Sequence, residues 1–274
     1  MERGRYTWLE GLDGVGKGVQ QEAILKFEKN KGKIKFSSQT SDTLEDYAKK
    51  FENEDKQFLM NFNHNKYILD TVEPTYWGIG KAIREELTSN NGRSYSSHDQ
   101  IQAYSLDRLV HMKRVVIPFL ENGHDVVQSR SMVSTLCYQT LKGLGEGRTR
   151  SGVREDVLKQ EGNKLALRYA PNLVIISTID NISELMKRLS EREKNDNCEF
   201  EKLQFQSSLA EFYEEPWLKW FLEDNGISVA YLDAGKTKEE TERQALEIYS
   251  DFYDKGMIKE KYSMPKTSEV SNIL

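Results

Sequence analysis

Short runs rich in β-branched and aromatic residues alternate along this chain with longer segments whose apolar residues recur at helical spacing. Tyr6-Thr7-Trp8-Leu9 is the first such run, and Tyr67 to Val72, Asp125 to Gln128, Leu173 to Ser177 and Ser228 to Leu232 continue the series as strands. From Lys17 onward, Ile24, Leu25 and Phe27 fall among Gln, Glu and Lys as on a half-buried helix. Further helical patterns run over Ile79 to Leu87, Asp99 to Leu120, Val153 to Leu167, Ile182 to Glu193, Leu203 to Phe221 and Lys238 to Tyr253. This rhythm predicts an α/β fold, a doubly wound parallel sheet of about five strands flanked by helices. Ligands of such sheets gather at the carboxyl ends of the strands.

Two segments break the rhythm. Lys31 to Lys66 is long and polar, with Asp42 to Phe62 expected to be helical, and reads as an insertion between the first helix and the second strand. The segment after Lys255 is weakly patterned. One domain over residues 1–254, followed by a polar tail over 255–274, is therefore expected.

Composition narrows the class. The 274 residues are 37% hydrophobic and 30% charged, as suits a soluble globular protein, and the net charge of −5 gives no general attraction to nucleic acid or membrane. Cys137 and Cys198 offer neither metal spacing nor a disulfide framework. With no apolar leader and no apolar run of membrane-spanning length, a cytoplasmic protein is expected.

The first strand leads into Glu10-Gly-Leu-Asp-Gly-Val-Gly-Lys-Gly-Val-Gln20. Gly11, Gly16 and Lys17 stand at the spacing of a phosphate-cradling loop, but Gly18 occupies the place of the usual Ser or Thr. In such a loop the backbone N–H groups of Gly11, Gly14, Val15, Gly16, Lys17, Gly18 and Val19 surround phosphate oxygens, the helix N-terminus adds positive potential, and Lys17 supplies a point charge. Strand, glycine loop and helix in that order point to a nucleotide polyphosphate.

Polar clusters follow the other strands. Glu73-Pro74-Thr75 leads to Gly78-Ile79-Gly80-Lys81-Ala82-Ile83-Arg84, and Tyr104 and Arg108 share a helix face. Ser129-Arg130-Ser131 ends the third strand, followed by Ser134, Tyr138 and Gln139. Arg188 and Arg192 share a face ahead of a polar stretch ending at Glu201. An arginine at a strand end such as Arg130 is awkward to bury without an anionic partner.

Taken in order, Glu-Gly-Leu-Asp-Gly-x-Gly-Lys, Glu-Pro…Gly…Ile-Arg, Tyr-x-x-Asp-Arg, Arg-x-x-x-Ser-x-x-x-Tyr-Gln and Pro171-Asn-Leu-Val-Ile resemble the thymidylate kinase family, from about Arg5 to Tyr253. The resemblance implies a P-loop nucleoside monophosphate kinase fold with a small lid over 188–201, transferring phosphate from ATP to dTMP with Mg2+ on the phosphates, and a homodimer. It assigns catalytic charge to Lys17, Arg130, Arg188 and Arg192. It also implies an acceptor site built from Asp13 at the sugar 3′-hydroxyl, Glu73, Pro74, Arg84 near the acceptor phosphate, Tyr104 stacked on the base and Arg108 at the base edge. Gln139 would assist Arg108, with Ser134 nearby, Tyr138 would favour deoxyribose, and Arg130 would hold the acceptor phosphate. Gly18, Ser129 in place of the family's aspartate, and Val72 in place of an arginine depart from the family. The first two leave open a relative that binds nucleotides without turnover; a kinase for another pyrimidine monophosphate, using the Tyr104, Arg108 and Gln139 pocket differently, is the other alternative. Glu10, Asp13 and Glu73 are the carboxylates nearby that stand in reserve for a metal.

Overall fold

The computed structural model describes residues 2–37, 67–89, 91–191 and 203–256, with 258, 262 and 263. Six parallel strands form one sheet in the order β2-β3-β4-β1-β5-β6. They are β1 (Tyr6–Gly11), β2 (Ile34–Ser37), β3 (Tyr67–Val72), β4 (Asp125–Ser129), β5 (Leu173–Thr178) and β6 (Ser228–Asp233). The five expected strands are all present, and the sheet gains a sixth at its edge. β2 lies inside the segment read as a polar insertion; it has four residues, one neighbouring strand and an exposed face, so it lacks the apolar run that marks the others. The helix expected over Asp42 to Phe62 lies outside the described residues.

Helix α1 (Lys17–Asn30) follows the glycine loop, and α2 (Gly78–Ala82) continues through a π-helical turn to Leu87. The expected helix over Asp99 to Leu120 is α3 (Ser97–His111), a π-helical turn (Met112–Val116) and α4 (Ile117–Glu121). Ser96 and Asp99 close a reciprocal capping box at its start. Two expected helices are each split. The first becomes α6 (Arg150–Leu158) and α7 (Glu161–Arg168). The second becomes α9 (Leu203–Tyr213) and α10 (Pro216–Asp224), where Pro216 at the first helical position cannot donate to the preceding turn. The series closes with α8 (Ile182–Ser190) and α11 (Lys238–Lys255). One helix, α5 (Met132–Gly145), escapes the periodicity because Met132 to Thr140 are buried on every side, which erases the polar stripe.

The core lies on both faces of the sheet. β1 and β5 are buried along their whole length, as a central parallel strand covered by helices must be. Among the described residues no helix is long and apolar enough to cross a membrane.

At the periphery, Asp156 on α6 accepts from His98 Nδ1 at 2.6 Å and Arg148 Nη2 at 2.9 Å, and lies 3.0 Å from Lys159 Nζ. Burial pushes its carboxyl up, but the bonds to His98, Lys159 and Arg148 outweigh this and hold it at about 2. The folded value is below the unfolded one, so this contribution is complete above about pH 4 and fades as pH falls toward about 2. Asp156→Asn should therefore lower the denaturant midpoint at pH 7, and the gap from the parent should narrow at pH 3. A gap independent of pH would show that the charge is not what matters.

Candidate functional site

The site forms at the carboxyl ends of β1, β3 and β4. β1 and β4 are hydrogen-bonded neighbours, with Leu9 opposite Ser129, so the glycine loop and Arg130 leave adjacent strands side by side. In the loop, Gly11, Gly14 and Gly16 all adopt positive φ, conformations that glycine takes without strain. Gly11 also leaves no room for a side chain, since a Cβ there would stand 2.4 Å from the Ser177 carbonyl oxygen. Gly16 caps α1 in the left-handed conformation, and Val19 N–H bonds back to its carbonyl at 2.9 Å, which begins the helix at Lys17. Lys17 Nζ crosses the loop to the carbonyls of Gly11 (2.9 Å) and Leu12 (2.5 Å). The ammonium is thus tied back to the start of the loop.

Arg130 is the one described non-glycine residue at positive φ, 64°. That strain, of order 1–3 kcal/mol at such positions, persists only where surrounding contacts hold it. Here Asp13 pairs with its guanidinium, Ser134 Oγ accepts from Nη1 at 3.1 Å, and the Tyr138 ring lies beneath it at 5.2 Å. Burial works against the Arg130 charge, yet Asp13, Tyr138, Tyr213 and Glu10 outweigh it and the guanidinium binds its proton more tightly than usual. Burial pushes the Tyr138 phenol well up, so it remains a donor and bonds Asp13 Oδ2 at 2.8 Å. Asp13, Arg130 and Tyr138 form one hydrogen-bonded group.

The cis Glu73–Pro74 peptide ends β3. Arg84, on the π turn after α2, donates to the Pro74 and Thr75 carbonyls and lies over the Tyr76 ring at 4.0 Å. Among the described residues no carboxylate forms an ion pair with it. Burial weakens its hold on its proton, and the nearby Arg130 charge weakens it further against the opposing pull of Tyr76, Tyr104 and Asp107. Arg84, Arg130 and Tyr104 therefore share one electrostatic neighbourhood.

Arg108 is placed differently from expectation. It is 2% exposed, and all three guanidinium nitrogens are committed inside the chain. Nε and Nη2 hold Glu73 Oε2 at 2.8 and 2.7 Å, Nη2 also reaches Thr135 Oγ1 at 3.1 Å, and Nη1 donates to Asn163. Burial alone would raise the Glu73 carboxyl; Arg108 and His111 reverse that and hold it below the ordinary value. Gln139 is fully buried one turn beyond Thr135 on α5, and neither of its amide atoms has a hydrogen-bond partner. Arg188 turns onto the loop after β6, donating to Ala234 O at 2.7 Å and toward Glu184 at 3.3 Å. Arg192 and most of the expected lid lie outside the described residues.

Two residues of this centre, Ser131 and Tyr213, carry no role in the sequence reading, and both bind Glu10. Glu10 is fully buried and accepts from Ser131 Oγ and Ser134 Oγ, both at 2.7 Å, and from Ser134 N–H and Tyr213 OH at 3.3 Å. Ser131 had a signal in its place beside Arg130. Tyr213, on α9 and 203 positions from Glu10, had none.

Those carboxylates decide whether the chain can ligate a metal. Phosphate-binding loops normally offer a Ser or Thr hydroxyl and a strand-end aspartate to Mg2+, and this chain has Gly18 and Ser129 there. Both Glu10 oxygens are taken, Asp13 is paired with Arg130 and Tyr138, and Glu73 is bound by Arg108. Among the described residues there is also no group of three or more His, Cys, Asp or Glu that could hold an ion. The described side chains do not fit a protein-ligated metal.

A parallel sheet with a glycine loop at the end of β1 and an arginine at the end of β4 defines a P-loop α/β nucleotide-binding protein. A family model described as thymidylate kinase matches residues 56–245. The chain belongs to the thymidylate kinase family, whose members are nucleoside monophosphate kinases. The match begins beyond the glycine loop, which rests on its own geometry. A thymidylate kinase of Prochlorococcus marinus is 25% identical over 213 residues, 77% of this chain and 82% of that protein. A probable thymidylate kinase of Pyrococcus abyssi is 29% identical over 145 residues, 52% of this chain and 55% of that protein. The structure of a thymidylate kinase from Candida albicans superposes with a TM-score of 0.60 at 18% identity, covering 90% of this chain and 92% of that one, which is a likeness of fold.

Proposed function

We propose that this chain transfers the γ-phosphoryl group of ATP to dTMP, giving ADP and dTDP, within one kinase domain over residues 1–254. The observation that carries this reading is the placing of Lys17 and Arg130 at the carboxyl ends of adjacent strands, with Arg84 in the electrostatic neighbourhood of Arg130 and, among the described residues, in no ion pair with a carboxylate. Phosphoryl transfer calls for positioning and charge rather than covalent chemistry, and a lysine and two arginines at one edge of the sheet supply both.

In this reading the loop backbone and Lys17 hold the donor phosphates, while Arg84 and Arg130 take the acceptor phosphate. The Arg130–Asp13 pair then opens, freeing Asp13 for the sugar 3′-hydroxyl. Tyr104 stacks on the base. Arg108, saturated within the chain, acts as a positioning residue that fixes Glu73, and Gln139 offers the base edge an amide with unused donors and acceptors. Arg188 swings from the loop after β6 toward the transferred group. A cytoplasmic homodimer accompanies the family assignment, and light scattering of the purified chain tests the dimer.

An acceptor panel tests the substrate. kcat/KM for dTMP should exceed that for dCMP, dGMP and AMP by at least about 10²-fold, because a buried amide left unpaired by the wrong base edge is costly. Gln139→Leu should erode that preference more than it lowers kcat with dTMP. Turnover confined to a different monophosphate would overturn the acceptor while keeping the chemistry.

A further inference from the structure

Gly18 and Ser129 stand beside three carboxylates, Glu10, Asp13 and Glu73, that are already bound within the chain. We infer that the divalent ion accompanying ATP in this chain is held by phosphate oxygens and water, without a direct side-chain oxygen ligand from the described residues. This rests on the kinase reading above. Glu10 is the nearest candidate to replace the lost groups, because it immediately precedes the loop. A carboxylate accepts about four hydrogen bonds, and Glu10 already accepts four, from Ser131, Ser134 twice and Tyr213. Turning it toward an ion would strip two buried serines and a buried tyrosine of their acceptor. Asp13 spends one oxygen on Tyr138 and the other on Arg130 or, once that pair opens, on the sugar hydroxyl of the acceptor. Glu73 gives Oε2 to Arg108, and its Oε1 is buried 3.5 Å from His111 Nδ1, turned into the chain rather than to solvent.

The absent hydroxyl is not excluded by crowding. Gly18 lies in the first turn of α1, and a Cβ added there would meet no atom within 4 Å. A Thr side chain therefore fits, and the glycine marks a chain that manages without the ligand. Mg2+ is expected to bind enclosed ATP no better than free ATP, because Lys17 already neutralises the outer phosphates and the described side chains add no oxygen. By linkage, Mg2+ then cannot tighten ATP binding.

The test is calorimetric titration of the full chain with ATP, with Mg2+ and with EDTA, for the parent and Gly18→Thr. Mg2+ should change the parent's ATP affinity by less than about threefold, whereas Gly18→Thr should show Mg2+-dependent tightening of about tenfold, the scale of one added group at a metal. Broadening of the Mn2+ resonance of Mn–ATP by 17O-water gives a second readout: the parent should leave the number of coordinated waters unchanged, and Gly18→Thr should lower it. Tightening of more than threefold in the parent, or a lost water on the parent's Mn–ATP, overturns the inference and leaves the kinase intact. A Gly18→Thr chain that folds, binds ATP and shows no gain also overturns it. Failure of the parent to bind ATP under either condition refutes the kinase reading itself.

Discussion

Lys17→Ala is expected to lower kcat by about 10²–10³-fold, the usual loss when one preorganised charge at a developing anion is removed. Lys17 is the only cation of the glycine loop, and its ammonium is fixed by two loop carbonyls 2.9 and 2.5 Å away. The thermal midpoint should move little, because the carbonyls of Gly11 and Leu12 regain water once the side chain is shortened. Steady-state turnover beside a melting curve checks both halves. A loss of less than tenfold would show that charge from elsewhere, such as the lid, dominates.

The second large effect is on stability. Arg108→Met should lower the thermal midpoint by roughly 10 °C, from a cost of about 3–5 kcal/mol for leaving a buried charge unpaired. The charge in question is Glu73, 3% exposed, whose other oxygen lies 3.5 Å from His111 Nδ1. The double variant Arg108→Met with Glu73→Leu should recover part of that loss, since the unpaired charge is gone while Asn163 and Thr135 still lack their donor. If Arg108→Met were as stable as the parent, Arg108 would be free for a ligand and its placement as a positioning residue would fail.

The sheet was legible in the sequence because its five longer strands are apolar runs, and a buried parallel strand has no way to be otherwise. The glycine loop was legible too, since its backbone conformation restricts which residues can stand there; Gly11, with positive φ and a carbonyl against its Cβ position, is the clearest case. β2 and α5 escaped for opposite reasons. One is too short and exposed to leave a pattern, and the other is buried all round, so polar and apolar positions do not alternate.

The candidate site was legible as a set of residues and much less as a set of contacts. Asp13, Arg130 and Tyr138 were chosen one by one for a nucleotide, yet in the fold they bind one another. Arg108 was chosen for a base edge and instead spends its guanidinium on Glu73, Asn163 and Thr135. Glu10 stood in reserve for a metal and is enclosed by two serines and Tyr213, a partner 203 positions away that no local pattern could announce. Such pairings depend on how strand ends converge, which spacing along the chain does not encode.

The most direct measurement is product analysis of the purified chain incubated with ATP, dTMP and Mg2+, separating nucleotides by chromatography. Equimolar ADP and dTDP, absent without dTMP and reduced by at least about 10²-fold in Lys17→Ala, is the predicted result. ATP and dTMP recovered unchanged, from a protein that binds both, would contradict it and identify a nucleotide-binding member of the family without turnover.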